Sequence, residues 1–554
     1  MTVKPNLAAR LARWLARSAH APLRGWRVVA FVALVLVTGA CAVWAVAERY
    51  RAAGRVPDSL GELSDFLYAP FLYLVPQSVL ADVAALSLPQ AIARLTGPLI
   101  PVLGLFWLQR ERLLAWAARQ IAGRWMRGHA VIFGEQGSAD PLACASSTAG
   151  EVVVLVDPAF AEDEDRLRTL GAQGVIGLAA LPASLGGASA VVVWQHADTD
   201  NIATAADIRA HHRLAAEEID LLVGSGDLQA GLLQSPDLML DQSIRLRPHA
   251  PPATAMRAAL AGPQLPELAL GLGQERVTLC LWGQSEALVW AARIALQQFW
   301  TVRLGAPRIV WAGESGDEAL PVSLAGLVRH AEAVFGAGPQ RPAVEIAAAD
   351  DACLAADVTC HLVDFGTDDA TLSRAFTLAA QLRQHHERPP PVQAVLDTGR
   401  AIAPLFASDK LVFLPPIIPG AGLTVSALRR READCRAAEI HLAYDRQFGG
   451  GGTAPASGRW QDLAETYIAA NRAAADHHAI KQWDAATSGL EGEALVEALA
   501  RAEHNRWSAE RLLAGWAPSG EGARDNTRRL HPDLRPWAAL SEDAREKDRG
   551  AVRS

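Results

Sequence analysis

The sequence predicts a multi-domain protein with an α-helical transmembrane hairpin, two α/β units of the dinucleotide-binding type and an all-α C-terminal module. Three observations carry this prediction. A long uncharged apolar run lies near the N-terminus, strand and helix patterns alternate from about residue 128 to about residue 425, and strand patterns stop beyond that point. With 554 residues, the chain is too long for one hydrophobic core.

The net charge and the cysteines exclude some classes of function. The formal net charge is −8, so a nucleic-acid partner is not expected. The six cysteines form no C-x-x-C pair and have no histidine at zinc-site spacing, so we expect reduced, buried cysteines and no metal site. Three histidine doublets are expected on solvated helix surfaces, because neighbouring helical residues point about 100° apart and share one metal poorly. They are His211-His212, His385-His386 and His477-His478.

The first predicted membrane helix covers about residues 26–47. From Val28 to Ala47 the chain has twenty residues without a charge, the length that crosses about 30 Å of hydrocarbon. A signal peptide is the alternative. It is disfavoured because its apolar core would have only about 7–15 residues, and because the charged segment that begins at Glu48 is a poor cleavage context.

A second membrane span is predicted over about residues 88–110. Its apolar stretch between Arg94 and Arg110 is short, so a full crossing needs either Arg94 to snorkel toward the membrane surface or the helix to begin near Leu88. Between the two spans, the apolar run at 66–81 is interrupted by two prolines and is compatible with a re-entrant segment.

Basic residues indicate the orientation of the hairpin. They flank it on the side of both termini, whereas the loop between the spans carries more acidic than basic residues. The flanking residues are Lys4, Arg10, Arg13, Arg17, Arg24 and Arg27 before the first span and Arg110, Arg112, Arg119, Arg124 and Arg127 after the second. Both termini and the soluble domains are therefore expected in the cytoplasm, beneath a bacterial inner membrane. The predicted order is a basic segment over 1–24, the membrane domain over 25–110 and a linker helix over 111–127.

The two predicted spans flank a short apolar segment at residues 66–81, and the second span leads into a helix. This is the layout of a two-helix channel subunit. The selectivity filter of such channels is not recognisable, because nothing between Asp58 and Pro89 resembles the T-V-G-Y-G carbonyl ladder that replaces the water around K⁺. A plain hairpin anchor is the alternative, and the sequence leaves the two open.

Residues 128–265 are predicted as the first α/β unit, called the first lobe. The strand HAVIFG leads into a turn with Gly134 and Gly137, and the next strand, VVVLVDP, places Asp157 about 20 residues beyond that turn. In the dinucleotide-binding fold, the glycines let the backbone approach a pyrophosphate and the acid binds a ribose hydroxyl. Gln136 stands where a further glycine belongs, so a fold without a working pocket is the alternative.

The stretch from about 128 to 246 resembles the RCK or TrkA-N domain, which regulates K⁺ channels and transporters. The resemblance rests on the HAVIFG strand, on Asp157, and on the turn Asp198-Thr199-Asp200-Asn201-Ile202, which is similar to the D-D-x-x-N turn of that family. It implies a nucleotide site formed by Gly134, Gly137 and Asp157, with Asp200 and Asn201 at its rim.

Residues 266–425 are predicted as a second, RCK-like lobe. Strand and helix patterns alternate again, but of the turn glycines only Gly283 remains, followed by Gln284 and Ser285. This pattern favours a structural or dimerising lobe over a second nucleotide site. A dehydrogenase would need an intact glycine loop and an acid or base beside the nicotinamide. Neither is evident, so we expect no catalytic residues and no enzyme activity.

Residues 426–554, called the C-terminal module, carry the longest motif. His504, Trp507 and Arg511 are three and four residues apart and share a face if the segment is helical. The segment closely resembles the ryanodine-receptor repeat, or RyR domain, as it occurs in bacterial proteins. The matching residues are Glu503, His504, Asn505, Arg506, Trp507, Glu510, Arg511, Gly515, Trp516, Asp525, His531, Pro532, Leu534, Pro536, Trp537, Leu540 and the segment from Arg545 to Arg549.

The residue types in this module are suited to a nucleotide, since indole rings stack on bases and guanidinium groups bind phosphate. The predicted ligand residues are His504, Arg506, Trp507, Arg511, Trp516, Arg528, His531 and Trp537. The alternative is that the tryptophans belong to the core and that the arginines form ion pairs with Glu503, Glu510 and Asp525.

These predictions describe a homo-oligomeric ion channel or channel-like membrane protein, a dimer or tetramer, that RCK-like lobes and a RyR domain regulate. The ligand would be a nucleotide or dinucleotide of the NAD, ATP or ADP-ribose type, and the RCK resemblance implies potassium as the ion. The alternative is a non-conducting nucleotide sensor or scaffold anchored in the lipid bilayer.

Overall fold

The computed structural model describes residues 7–19, 25–57, 59, 62, 64, 66, 71, 87–136, 139–161, 163–182, 184–211, 214, 218–225, 228–229, 231–232, 245–313, 320–349, 357–396, 413–419, 423–430, 434–448, 460, 463, 465–520 and 522–553. The turn glycine Gly137 and most of the predicted re-entrant segment lie outside these residues. The chain divides into two compact units, Met1–Val131 with Gly150–Ser189, and Ile132–Ala149 with Ala190–Ser554.

Four helices precede the first strand. They are α1 (Leu7–Ala19), α2 (Gly25–Ala52), α3 (Leu88–Thr96) and α4 (Leu99–Arg124). Within α2, Ala30–Ala52 is the one stretch among the described residues that is long and apolar enough to cross a membrane. Its outward side chains, such as Val32, Leu36 and Val43, are exposed, whereas Ala42 and Ala45 are buried. The predicted first span is therefore a continuous helix with a wide apolar surface.

Helices α2 and α3 form an antiparallel pair. Thr38 of α2 lies 2.7 Å from the Oγ1 atom of Thr96 in α3, which itself donates to the Ile92 carbonyl. Nearer the loop, the Ser87 hydroxyl donates to Glu48. The later residue of α2, Glu48, thus contacts the residue just before α3, and the earlier one, Thr38, contacts the end of α3, as in an antiparallel pair. The hydroxyl groups of Thr38, Ser87 and Thr96 all have hydrogen-bond partners within the pair.

The predicted second span and linker helix have no boundary at residue 110, because α4 continues from Leu99 to Arg124. The interruption lies earlier, where α3 ends at Thr96. Gly97 and Pro98 keep helical backbone angles, but Pro98 has no N–H, so the helical hydrogen-bond ladder is broken there. The segment from α3 into α4 is therefore an almost continuous helical stretch.

The first lobe contains a six-stranded parallel sheet. Its strands are β1 (His129–Gly134), β2 (Val153–Val156), β3 (Ile176–Leu178), β4 (Ala188–Trp194), β5 (Glu218–Leu222) and β6 (Arg245–His249), and its helices are α5 (Ala139–Thr148), α6 (Glu164–Ala172) and α7 (Asp198–His211). The strand order is β3-β2-β1-β4-β5-β6. This is the order of the dinucleotide-binding, or Rossmann, fold, so the α/β prediction is confirmed.

The second lobe repeats this winding in a five-stranded sheet. Its strands are β7 (Thr278–Trp282), β8 (Arg308–Gly313), β9 (Ala343–Ala348), β10 (Cys360–Val363) and β11 (Val392–Ala394). Two of its helices, α8 (Pro251–Ala259) and α9 (Gln264–Gly271), begin before residue 266, where the sequence predicts this lobe to start, but Met256 and Leu265 lie in the same buried cluster as Leu279 of β7. The other helices are α10 (Glu286–Gln298), α11 (Val322–Phe335) and α12 (Asp368–His385). The order β11-β10-β7-β8-β9 is parallel throughout, with the first strand of the lobe at its centre.

The C-terminal module is mainly helical. It contains α13 (Val425–Arg430), α14 (Cys435–Phe448), α15 (Glu465–Thr487), α16 (Gly492–Leu513) and α17 (Glu542–Arg553). The prediction of an all-α module needs one addition, a parallel pair of two-residue strands, β12 (Ala517–Pro518) and β13 (Leu530–His531).

The second lobe and the C-terminal module share one hydrophobic core. Phe299 and Trp300, at the end of α10, belong to the same buried cluster as Ile480 of α15 and Leu512 of α16. Arg257 of α8 forms two hydrogen bonds, of 2.6 and 2.8 Å, with the carboxylate of Asp476 in α15. The sequence places a domain boundary near residue 425, but the apolar core continues across it.

The expectation that the histidine doublets lie on solvated helix surfaces is wrong for His477. Its side chain is buried, and its Nε2 atom lies 2.7 Å from the Trp300 carbonyl oxygen. Burial lowers the pKa of His477, so the neutral ring donates this hydrogen bond. The residue ties α15 to the end of α10, a contact that adjacency in the sequence does not reveal.

Candidate functional site

The predicted aromatic residues of the C-terminal module lie together around α16. This helix is rich in alanine, leucine and glutamate, which favour helix, and Gly515 ends it in the left-handed region at φ 81°. His504, Trp507 and Arg511 share one face as predicted. The His504 ring lies 5.8 Å from the Trp507 ring, in a stacked arrangement, and 5.7 Å from the Trp537 ring.

The strands β12 and β13 bring Trp516 and His531 to this face. Pairing of Ala517 with Leu530 and of Pro518 with His531 fixes the register of the two strands. The His531 ring then lies edge-on to two indoles, 4.9 Å from Trp507 and 6.0 Å from Trp516. We call Trp507, Trp516, His531 and the arginines around Trp516 the aromatic cluster.

Two guanidinium groups lie over the Trp516 ring. Arg511 is 5.7 Å and Arg524 is 5.5 Å from the ring centroid. Arg511 is buried and contacts the neighbouring Glu510 at 3.2 Å, and its Nη1 atom has no hydrogen-bond partner among the described residues. Arg524 is exposed and contacts the Tyr467 hydroxyl at 3.3 Å. The cluster therefore offers an aromatic face with cationic donors beside it.

The turn between β12 and β13 is held by Asp525 and Arg529. The carboxylate of Asp525 accepts the backbone N–H of Arg528, three residues further on, at 2.9 Å, a local side-chain-to-backbone bond that holds the turn. Arg529 has φ 54°, a strained value for a residue with a side chain, and its guanidinium donates to the Ala514 carbonyl at 2.9 Å. The Arg528 side chain is exposed and takes no part in the contacts around Trp516.

His531 is a neutral hydrogen-bonding group. Burial lowers the pKa of His531 to about 4, although the nearby Asp533 opposes this shift. Its Nδ1 atom accepts the Asp533 backbone N–H at 3.1 Å, so the ring proton resides on Nε2. The cluster thus contains an imidazole donor whose protonation is constant at neutral pH.

His504 lies between Trp507 and Trp537 and is held by two oxygen atoms. Its Nε2 atom lies 2.9 Å from the Arg535 carbonyl oxygen and its Nδ1 atom 3.2 Å from the Asp548 carboxylate. These contacts fix the orientation of the imidazole ring against both indoles. Burial raises the pKa of Asp548.

Arg506, another predicted ligand residue, lies in a buried ionic network instead of in the aromatic cluster. It contacts the Oε1 atom of Glu503 through Nε at 3.0 Å and Nη2 at 2.8 Å, and Lys481 contacts the other oxygen at 3.3 Å. Burial alone would raise the pKa of Glu503, but Arg506 and Lys481 hold it well below its usual range. This is the structural pairing that the sequence left open as the alternative.

In the first lobe, the predicted ribose acid already has partners in its own chain. Asp157 accepts the Ala159 backbone N–H at 2.9 Å and forms an ion pair with Arg166. The Arg166 guanidinium lies 4.4 Å from the Phe160 ring centroid, and both charged side chains are buried. A ribose hydroxyl would have to compete with these contacts.

The predicted turn glycine Gly134 has a packing role at the end of β1. A Cβ atom placed there would lie 2.1 Å from the Trp194 carbonyl oxygen and 2.3 Å from the Ala139 side chain. Its lack of a side chain is therefore required by the fold, whether or not a nucleotide binds.

Residues 198–202 form the first turn of α7, just after β4, and are hydrogen-bonded to the backbone at the end of β5. Asp198 accepts the backbone N–H groups of Gly224 and Ser225, both at 2.8 Å, and Asn201 is buried and donates to the Leu222 carbonyl at 2.9 Å. Asp200 is exposed. Asp198 belongs to the motif that the sequence singled out, but it is not among the predicted site residues, which include only Asp200 and Asn201 of that motif.

Metal binding has no geometric support in the described ranges, where no group of three or more His, Cys, Asp or Glu side chains is placed to hold an ion. Sequence reasoning also missed Arg524 and Tyr467 as members of the cluster surroundings. Neither has a periodic relation to α16, because Arg524 reaches Trp516 from the segment between β12 and β13, and Tyr467 of α15 contacts Arg524.

Residues 489–554 match the family model of the RyR domain. The end of the chain is therefore similar to the RyR domain, and residues 489–554 are referred to by that name below. The matched segment begins after α15, which ends at Thr487. Helices α13 to α15 of the C-terminal module therefore lie between the second lobe and the RyR domain in the sequence. The aromatic cluster lies within the RyR domain, with Tyr467 contributed by α15.

Comparisons of the whole chain find distant structural likeness. No curated protein matches the chain. Among solved structures, it is similar to the GsuK channel at 15% identity and a TM-score of 0.35, covering 73% of this chain and 98% of that one. It is similar to the GsuK channel bound to NAD at 12% identity and a TM-score of 0.35, covering 75% and 85%. It is similar to GsuK bound to ADP at 15% identity and a TM-score of 0.30, covering 66% of this chain and 89% of that one. Similarity at this level assigns neither a ligand nor ion conduction to this chain.

Proposed function

We propose that this chain is a ligand-regulated, channel-like membrane protein whose RyR domain senses a nucleotide-type ligand. The observation that carries the proposal is the aromatic cluster, in which Arg511 and Arg524 lie 5.7 and 5.5 Å from the Trp516 ring centroid beside Trp507 and His531. Indole faces stack on a base, and guanidinium groups donate to phosphate oxygens.

The exposed part of the cluster limits what the ligand contacts. Trp507 and His531 are partly exposed and Arg524 is exposed, whereas Trp516 is largely buried beneath the guanidinium groups. A base would therefore stack near Trp507, with the His531 Nε2–H as a donor to its edge, and a phosphate would meet Arg524. A mononucleotide or the adenosine half of a dinucleotide of the NAD or ADP-ribose type has this combination of groups.

The membrane part of the proposal rests on the helical hairpin. The apolar stretch Ala30–Ala52 supplies one span, and its antiparallel partner, the almost continuous segment from α3 into α4, supplies the second. The contact of Thr38 with Thr96 gives both hydroxyl groups a partner within the hairpin, as lipid requires. Both termini and the lobes would be cytoplasmic, and several copies would have to assemble around a pore.

Ligand binding at the RyR domain would be communicated to the membrane helices through contacts and connections within one chain. The C-terminal module shares its hydrophobic core with the second lobe, so a ligand that rearranges the RyR domain must also act on that lobe. The α4 helix runs without interruption from the predicted second span to Arg124, four residues before β1. We propose that the lobes act on the membrane helices through this connection.

A non-conducting, membrane-anchored sensor is the second candidate. The observation that favours it is the sequence between Asp58 and Pro89, which has no segment like a K⁺ selectivity filter. In this version the same RyR domain binds the same class of ligand, and the hairpin only locates the protein.

The ligand site is tested by calorimetry on the full chain in detergent or nanodiscs, with ATP, NAD and ADP-ribose as titrants. Arg524→Ala removes an exposed cation from the cluster, so we expect at least about tenfold weaker binding of whichever nucleotide binds. Arg528→Ala is the matched control, because its side chain lies in the same turn but away from Trp516. The affinity of Arg528→Ala for the same nucleotide should stay within about twofold of that of the unmodified protein. Equal losses in both variants, or in neither, would place the site elsewhere.

A further inference from the structure

Helix α1 precedes the membrane hairpin and has one covered side. It contacts α4, β3 and α6, and all four elements belong to the same compact unit. The covered side contains Ala9, Ala12 and Leu15, which are buried. Because two of these residues are alanines, the helix can lie close against its neighbours. These contacts account for only one side of α1.

Another side of α1 is apolar and exposed in the described part of the chain. Leu7 is 82% exposed, Leu11 40% and Trp14 60%. The three residues are four and three positions apart, so they form a line along the helix. Arg10 is also exposed and lies at the edge of this line, three residues after Leu7 and four before Trp14. Leucine and tryptophan on one face, with arginine beside them, are typical of helices that lie in the plane of a membrane surface.

The charge of this part of the chain matches an anionic lipid surface. No acidic residue precedes Glu48 in the sequence, whereas six basic residues do. They are Lys4, Arg10, Arg13, Arg17, Arg24 and Arg27. The cytoplasmic leaflet of a membrane carries a negative surface potential, which attracts basic segments next to a membrane span.

The connection to α2 keeps α1 near any bilayer that α2 crosses. Helix α1 ends at Ala19, α2 begins at Gly25, and the membrane-crossing stretch begins at Ala30. Residues 20–24 between the two helices can extend over at most about 20 Å. After the predicted second span, Trp116 of α4 is exposed as well, and tryptophan is enriched where a membrane meets water.

We infer that α1 binds the cytoplasmic surface of the membrane, with Leu7, Leu11 and Trp14 at the level of the lipid headgroups and Arg10 beside anionic lipid phosphates. Its buried side contacts α6 and β3, so the helix joins part of the first lobe to the lipid. A second copy of α1 is a poorer occupant of this face, because it would bring the same positive charge. The inference rests on the membrane hairpin in the proposed function and is independent of the nucleotide.

Quenching by nitroxide-labelled lipids tests this face on the full chain in nanodiscs that contain phosphatidylglycerol. The native cysteines are replaced by alanine, folding is checked by size-exclusion chromatography, and a fluorophore is attached to Leu11→Cys or, separately, to Leu7→Cys. Nitroxide near the headgroups should quench both. Leu36→Cys, exposed on the membrane-crossing stretch, is the positive control. Arg528→Cys in the RyR domain, which the proposed function places in the cytoplasm, should not be quenched.

A charge reversal tests the role of anionic lipid. Quenching at residue 11 should be stronger with phosphatidylglycerol than with phosphatidylcholine alone. Arg10→Glu should lower the ratio of bound to unbound helix by at least about fivefold in the anionic nanodiscs, since one basic residue at such a surface contributes about 1 kcal/mol. Arg528→Glu is the matched control, because it reverses another exposed arginine and should leave the quenching unchanged.

The outcomes separate this inference from the proposed function. Quenching at residue 36 without quenching at residues 7 and 11 would overturn the inference and leave the membrane span in place. No quenching at residue 36 would overturn the span and the inference together. A fluorophore at residue 11 that is shielded from water but not quenched by lipid would mean that another protein surface covers this face, which also overturns the inference. Equal quenching with both lipids and in Arg10→Glu would overturn the role of anionic lipid.

Discussion

At the residue scale, the aromatic cluster separates the contacts that helical spacing predicts from those it does not. His504, Trp507 and Arg511 follow from spacings of three and four residues along α16. The approach of Arg524 to Trp516 does not, because it depends on the path of the chain between β12 and β13. Arg506 is one position away from Trp507 in the sequence, yet in the interior it pairs with Glu503, whose other carboxylate oxygen contacts Lys481.

Asp484 provides a pH-dependent prediction. It is buried in α15 and accepts the Val302 backbone N–H at 2.7 Å, and burial raises its pKa to about 6. Because this pKa lies above the unfolded value of about 4, the protonated acid stabilises the fold below about pH 4, and that stabilisation is lost as the pH rises through 6.

The variant Asp484→Asn keeps an acceptor for Val302 and removes the charge. We therefore expect it to raise the stability at pH 7.5, by up to about 3 kcal/mol, and to raise it by about half as much at pH 5. Thermal unfolding of the full chain at the two pH values measures this difference. An equal gain at both would contradict an ionised, buried carboxylate.

Gly283 gives a second prediction at this scale. It has φ 114°, and a Cβ atom there would lie 1.8 Å from the Asp364 carbonyl oxygen, so Gly283→Ala should destabilise the second lobe by more than about 2 kcal/mol. Gly271→Ala is the control, because the residue is helical and a Cβ atom there would have no other atom within 4 Å. It should be neutral or slightly stabilising in the same melting experiment.

At the element scale, the sequence predicts which segments form but less of how they meet. The charge-free run predicts α2, and the alternation of strand and helix patterns predicts the strands of both lobes. Strand order is set by pairing between distant segments, so only the analogy with the dinucleotide fold could suggest it. The prolines near residue 98 weaken the second span, but the pattern could not show that the helix continues through the predicted boundary at 110.

The tie between α8 and α15 is a prediction about elements. Arg257 and Asp476 are each only about one-fifth exposed and form a two-point contact. Arg257→Ala and Asp476→Ala should each lower the stability, and a double-mutant cycle should give a coupling of about 1 kcal/mol. The exposed pair of Arg168 with Asp165 is the control, and Arg168→Ala should change stability by less than about 0.5 kcal/mol. No coupling between Arg257 and Asp476 would show that the tie is not formed in solution.

At the scale of the whole molecule, the order of the parts could be predicted but the union of the second lobe with the C-terminal module could not. Strand patterns stop near residue 425, which suggests a boundary. The buried faces of α10, α15 and α16 nevertheless form one core, because each helix presents an apolar face that neither part covers alone. His477 shows the same limit, since its sequence surroundings are polar while its contact lies in the second lobe.

The proposed function requires that a nucleotide bound by the RyR domain controls the membrane part. Ion flux from liposomes that contain the purified full chain tests it most directly, measured with and without the nucleotide found by calorimetry. We predict a ligand-dependent change in flux that persists in Arg528→Ala and is lost in Arg524→Ala at a ligand concentration near the dissociation constant. A folded, oligomeric protein whose flux is the same with and without ligand would contradict the claim.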